Sequence, residues 1–108
     1  MTPQEILIEA RARIARGWVQ GRFAQDNRGV LVHSYSSEAV SWCLDGALIA
    51  VGATSSYTDY HAAHDLVWGA LGEPREPRIS NSLTRWNDAE GRTQDEVLAV
   101  LDRAIGAA

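Results

Sequence analysis

Tyr57, His61, His64 and Trp68 stand at i, i+4, i+7 and i+11, the spacing of one stripe along a helix. A row of aromatic and histidine side chains suits a protein partner or a planar ligand. The alternative is that the stripe packs on neighbouring elements as secondary core. His61 and His64 are three apart and could share a metal ion. A zinc site needs three or four ligands, so Asp65 or His33 would have to join them by folding. Two histidines alone do not make a site, and no metal or cofactor is expected. Cys43 sits in an apolar stretch with no basic neighbour, which suits an inert core thiol better than a nucleophile.

Three further groups carry polar chemistry. Asp45 is the acid on the narrow polar stripe of an otherwise apolar segment. A structural ion pair with Arg85 or Arg78 is its first reading and a ligand contact the second. Trp86-Asn87-Asp88 reads as a polar recognition loop beside an aromatic. More often such Asn and Asp residues close a turn with their own backbone while Trp anchors a short helix, and that structural reading is preferred. Arg75, Arg78, Arg85 and Arg92 surround Trp86 in sequence, the ingredients of a phosphate or nucleotide pocket. Glu73, Glu76, Asp88 and Glu90 are interleaved with them, which favours a solvated face of mixed charge. There is no Walker loop, no G-x-S-x-G, no H-E-x-x-H and no cysteine pair.

These residues need elements to position them. Glu38 to Val51 is apolar around most of a helical circumference, through Ala39, Val40, Cys43, Leu44, Ala47, Leu48 and Val51. Such a helix belongs inside a protein, wrapped by others. Ser34 to Ser37 would cap it, and Gly46 marks a close approach by another element. Thr2-Pro3-Gln4-Glu5 and Thr93-Gln94-Asp95-Glu96 are capping boxes that open the first and last helices. The first runs to Arg16 and stops at Gly17. A third helix spans Tyr57 to Leu71, and Ile79, Leu83 and Trp86 suggest a short fourth. Asp26-Asn27-Arg28-Gly29 is turn chemistry between β-prone runs. It predicts a hairpin over about 18–33, anchored on the helices by Trp18, Phe23 and Leu31. The expected fold is mainly α: a bundle of four main helices plus a short one, with that hairpin on its side.

The 108 residues suit a single domain with a modest core, and 45% are hydrophobic. No apolar run reaches the roughly 18 residues of a membrane span. The opening MTPQEILIEA lacks the basic region of a signal peptide. Together with one cysteine this predicts a cytoplasmic location. The net charge of −4 argues against a nucleic-acid partner. All ten basic residues are arginine, a pattern that a GC-rich genome explains.

Four ordered fragments carry a resemblance. They are Gly17-Trp18-Val19-Gln20-Gly21, Trp42-Cys43-Leu44-Asp45-Gly46-Ala47-Leu48, Trp86-Asn87-Asp88 and Thr93-Gln94-Asp95-Glu96-Val97. Together they resemble a family of small uncharacterised proteins found in actinobacteria and their phages. The resemblance implies these element boundaries and a bacterial or phage source. It supplies no activity and no catalytic residue.

The functional expectation is a small non-enzymatic binding or accessory protein, contacting a protein partner through Tyr57, His61, His64 and Trp68. The alternative is a small-ligand or nucleotide-binding domain that uses Asp45, Trp86, Asn87, Asp88 and the neighbouring arginines. An acidic mimic of nucleic acid is disfavoured by the ten arginines, and an enzyme is least supported.

Overall fold

The computed structural model describes residues 1–72 and 82–108. Helix α1 (Pro3–Arg16) opens on the expected capping box. The Glu5 amide donates to Thr2 Oγ1 at 3.2 Å, and the Thr2 amide donates to Glu5 Oε1 at 2.9 Å. Its Ile6, Leu7, Ala10 and Ile14 are fully buried, the three-and-four spacing of one inward stripe. Helix α5 (Gln94–Ala107) repeats the device at Thr93 and Glu96 and buries Val97, Val100, Leu101 and Ala104. Helix α3 (Tyr57–Leu71) is capped by Ser56 and closed by Gly72, which takes the left-handed conformation at φ 71°. These three pack on one another, and α2 (Leu44–Gly52) lies chiefly against α1. A short α4 (Ser82–Asn87) packs on α2. The expected fold class is found: mainly α, with five helices and a small two-stranded antiparallel sheet among the described residues.

The segment from Glu38 to Val51 departs from the expected continuous helix. The helix starts at Leu44, and Cys43 is its N-cap, its Sγ accepting from the Gly46 amide at 3.2 Å. Leu44, Ala47 and Leu48 are fully buried, as the periodicity requires, but Val40 is 43% exposed. Residues 40–43 are extended because their amides and carbonyls are bonded elsewhere. The Trp42 amide donates to Gly17 O at 3.1 Å, and Val19 N donates to Trp42 O at 3.2 Å. The Cys43 amide donates to Phe23 O at 3.1 Å. A helix through Trp42 would break all three bonds.

The ribbon also differs in partner. Strand β1 (Ala24–Gln25) pairs antiparallel with β2 (Ser41–Trp42), and the expected hairpin survives as a bridge between Gln25 and Leu31. Asp26 makes the turn, with Oδ1 accepting from the Arg28 and Val30 amides at 2.9 Å each. Strand alternation decides which side chains turn inward. Ala24 and Trp42 are buried and Val32 packs against the core, whereas Phe23 and Leu31 face out at 38% and 62% exposed. Trp18 is the one expected anchor that packs on the core. Phe23 and Leu31 lie one register position away from that role.

Asn87, at the end of α4, ties these parts together. Its side chain is fully buried. Oδ1 accepts from the Trp18 indole at 2.7 Å and from the Leu44 amide, in the first turn of α2, at 3.0 Å. Nδ2 donates to Val19 O at 3.1 Å and to Asp88 Oδ1 at 3.0 Å. Asp88 Oδ1 also accepts from the Gly21 amide, and Gln20 Nε2 donates to Asn87 O, each at 3.0 Å. One amide thus satisfies the 17–21 segment and the amino end of α2 at once.

Two predictions follow from this packing. Asn87→Ala would leave the Trp18 N–H, the Leu44 N–H and the Val19 carbonyl without their partner. At about 1–3 kcal/mol for each buried group, chemical denaturation should show a loss of about 3 kcal/mol or more. Asn87→Asp should be no milder, because it sets a carboxylate oxygen against the Val19 carbonyl and Asp88. At Gly46 an added Cβ would lie 2.0 Å from Phe23 O, whereas at Gly69 in α3 it meets nothing. Gly69→Ala should therefore stabilise by about 0.5–1 kcal/mol, and Gly46→Ala should destabilise despite its helix propensity.

Candidate functional site

The stripe on α3 runs from solvent into the core. Tyr57 is 79% exposed, His61 and His64 are half-buried, and Trp68 is 8% exposed within the hydrophobic cluster. Trp68 belongs with the core face of α3, beside Ala63 and Val67, so the row is not one open surface along its length. Its exposed end is organised by rings. His61 lies 4.0 Å from Tyr57 and edge-on to Tyr60 at 5.4 Å, and Tyr60 reaches His64 at 6.2 Å. Asp65 is exposed beside them. His33 stacks on Tyr35, 5.4 Å between ring centres and 5° from parallel. Among the described residues, no group of three His, Cys, Asp or Glu side chains could hold a metal ion.

The Asp45, Trp86, Asn87 and Asp88 set divides into different roles. Asn87 and Asp88 are occupied by the contacts that join the 17–21 segment to α2 and α4. The Arg92 guanidinium covers the Trp86 ring at 4.0 Å. Arg92 also donates to Trp86 O at 2.9 Å and pairs with Glu96 at 3.1 Å, so this cation and this ring are already engaged. Arg85 is exposed, and Arg75, Arg78 and Ile79 lie outside the described residues. Asp45 is 9% exposed, and among the described residues none hydrogen-bonds or ion-pairs with its carboxylate. The expected pair with Arg85 is not formed. Tyr60 is close enough that burial, with the Asp45 charge, pushes its phenol up to about 12. Cys43 is 1% exposed, and burial pushes its thiol up to about 11. A thiol so protonated and covered is no nucleophile at neutral pH.

The surface that sequence reasoning missed lies between the ribbon and α2. A groove of about 430 Å³ is lined by Phe23, Leu31, Val32, His33, Ser34, Tyr35 and Ile49. Ile49 also borders a shallower depression of about 280 Å³ with Gly52, Ala53 and Tyr60. Tyr60 carries the surface on to His61 and Tyr57. The signal in the sequence was the alternation Phe23, Gln25 against Ala24. The run Val30-Leu31-Val32 hides it, because both faces there are apolar.

Burial pushes the Asp45 carboxyl above its ordinary value, since desolvation disfavours the charged form. The folded state then holds the proton more tightly than the unfolded one. That contribution to stability is full below the unfolded pKa and is lost as pH rises through the folded pKa. Asp45→Asn is expected to raise the melting temperature at neutral pH and to flatten the stability profile above the ordinary aspartate range. Denaturant melts at several pH values check both.

No helix among the described residues is long and apolar enough to cross a membrane. No curated protein and no solved structure matches the chain. A model described as a family of unknown function, DUF6197, matches residues 1–107. The match spans every element from α1 to α5, and the chain belongs to this family of unknown function, DUF6197.

Proposed function

We propose that this protein is a non-catalytic binding module that contacts a protein partner in the cytoplasm of a bacterium, encoded by the host or by a phage. The contact surface runs from Tyr57 over His61, Tyr60 and Ile49 to Phe23, Leu31 and Tyr35. One observation carries the reading. Aromatic and aliphatic side chains, exposed at Phe23, Leu31 and Tyr35 and half-buried at Ile49 and Tyr60, line two depressions that share Ile49, so the apolar surface is joined rather than scattered. Tyr57, Tyr35 and Leu31 are 79%, 63% and 62% exposed. Tyrosine and large apolar side chains in a contiguous patch suit protein contact. The buried Cys43 thiol and the engaged Arg92 supply no reacting group. A nucleotide in the other candidate region would have to displace Arg92 from Trp86 and Glu96, so protein contact is preferred.

Site-specific photocrosslinking in the native host tests this. A photoreactive residue at Tyr57 or Leu31 should capture one and the same protein, and one at the exposed Asp102 on α5 should not. Capture of the same mixture from all three positions, or of nothing from the first two, would overturn the assignment. Tyr57→Ala should weaken binding of that partner roughly tenfold, about 1.4 kcal/mol, and leave the melting temperature unchanged. Trp68→Ala should instead unfold much of the protein, with a loss of about 3–5 kcal/mol.

A further inference from the structure

We infer that the partner enters this surface as an extended peptide segment, apolar at alternate positions, which adds a strand along Leu31 to His33. The inference rests on the protein-binding reading above and specifies the occupant of that surface. The hydrogen-bond pattern is its starting point. The Asp26 amide donates to Val30 O at 2.9 Å, and the Val32 amide donates to Ala24 O at 3.2 Å. Gln25 and Leu31 therefore face each other as the pair that exchanges no bonds. The Leu31 N–H and C=O point away from β1, and neither has a hydrogen-bond partner among the described residues. His33 N–H points the same way by alternation, while His33 O is taken by the Ser36 amide at 2.9 Å. A sheet edge with free donor and acceptor, beside an apolar groove, is the arrangement that takes an added strand.

The groove then sets the side chains. Alternation puts Phe23, Leu31 and His33 on one face, and that face opens on the groove closed by Tyr35 and Ile49. Every second residue of an added strand would turn toward it. Among the described residues no charged side chain lines the groove, which suits uncharged residues entering it. The whole chain carries a net charge of −4. A second copy would bring the same net charge against it, which favours a separate peptide over self-pairing. Only two or three backbone bonds are on offer, so the groove must supply much of the affinity.

The test uses the full chain, labelled with ¹⁵N, and two synthetic peptides. One is Arg-Val-Thr-Val-Thr-Val-Arg, blocked at both ends. The other is the same peptide with alternate backbone nitrogens methylated. The first should shift the Leu31 and His33 amide resonances. At about ten times its Kd it should slow exchange of the Leu31 amide by roughly tenfold. The methylated peptide should bind at least about tenfold more weakly. Equal binding of the two at the groove would overturn the added strand while leaving the protein-binding surface in place. Groove shifts in neither peptide would overturn the inference, and the crosslinking result would then decide the surface on its own. Concentration-dependent protection of Leu31 in the protein alone would assign the edge to a second copy and overturn it too.

Discussion

The side-chain amide of Asn87 is the constraint on which the arrangement depends. It is fully buried at the end of α4 and has one acceptor and one donor group to distribute. The acceptor goes to the Trp18 indole and the first amide of α2, and the donor to Val19 O and Asp88. A buried polar group with all its partners fixes relative positions more tightly than apolar packing does. Here it fixes where α2 begins. Once Leu44 N is bonded to Asn87 and Cys43 N to Phe23 O, residues 40–43 must run extended, and the ribbon is drawn across the helices. The outward face of that ribbon is the wall of the groove. A scaffold amide and an exposed apolar surface are thus consecutive links in one chain of causes.

The fragments that carried the family resemblance acquire a physical meaning here. Gly17 to Gly21, Trp42 to Leu48 and Trp86 to Asp88 converge on Asn87. The fourth fragment joins through Glu96, which pairs with the Arg92 that covers Trp86, and its Gln94 Nε2 donates to Ile14 O of α1 at 2.7 Å. Gly17 belongs to the same logic. Its φ of −174° is ordinary extended backbone, but a Cβ there would lie 2.2 Å from Val40 O. These fragments specify how the chain folds, and the proposed contact surface lies almost entirely outside them. That separation is why the sequence fragments reveal a fold and no activity.

Much of the helical framework was legible because its signals are local. The capping boxes at Thr2 and Thr93 and the span Tyr57–Leu71 are written within a few residues of themselves. Gly46 was legible as a close approach, though not the Phe23 carbonyl it meets. The start of α2 was not legible. Ala39, Val40 and Cys43 continue the helical spacing of Leu44 and Leu48 by coincidence, and the bonds that hold residues 40–43 extended come from residues 17 to 25. Asn87 was singled out, but its partners other than Asp88 lie 43 to 69 positions away in sequence, beyond any local pattern. The stripe on α3 failed at Trp68 for a related reason. Helical spacing aligns residues on a face, but what covers each turn of that face is decided by other elements.

Amide hydrogen exchange in the native state tests most directly whether Asn87 locks these parts into one unit. If it does, the Leu44 amide and the Trp18 indole proton exchange only when the whole protein unfolds, with the same opening free energy as the Leu48 amide in the core. Exchange of either through a lower-energy local opening, while Leu48 stays protected, would show that α4 and the 17–21 segment detach on their own and would contradict the account.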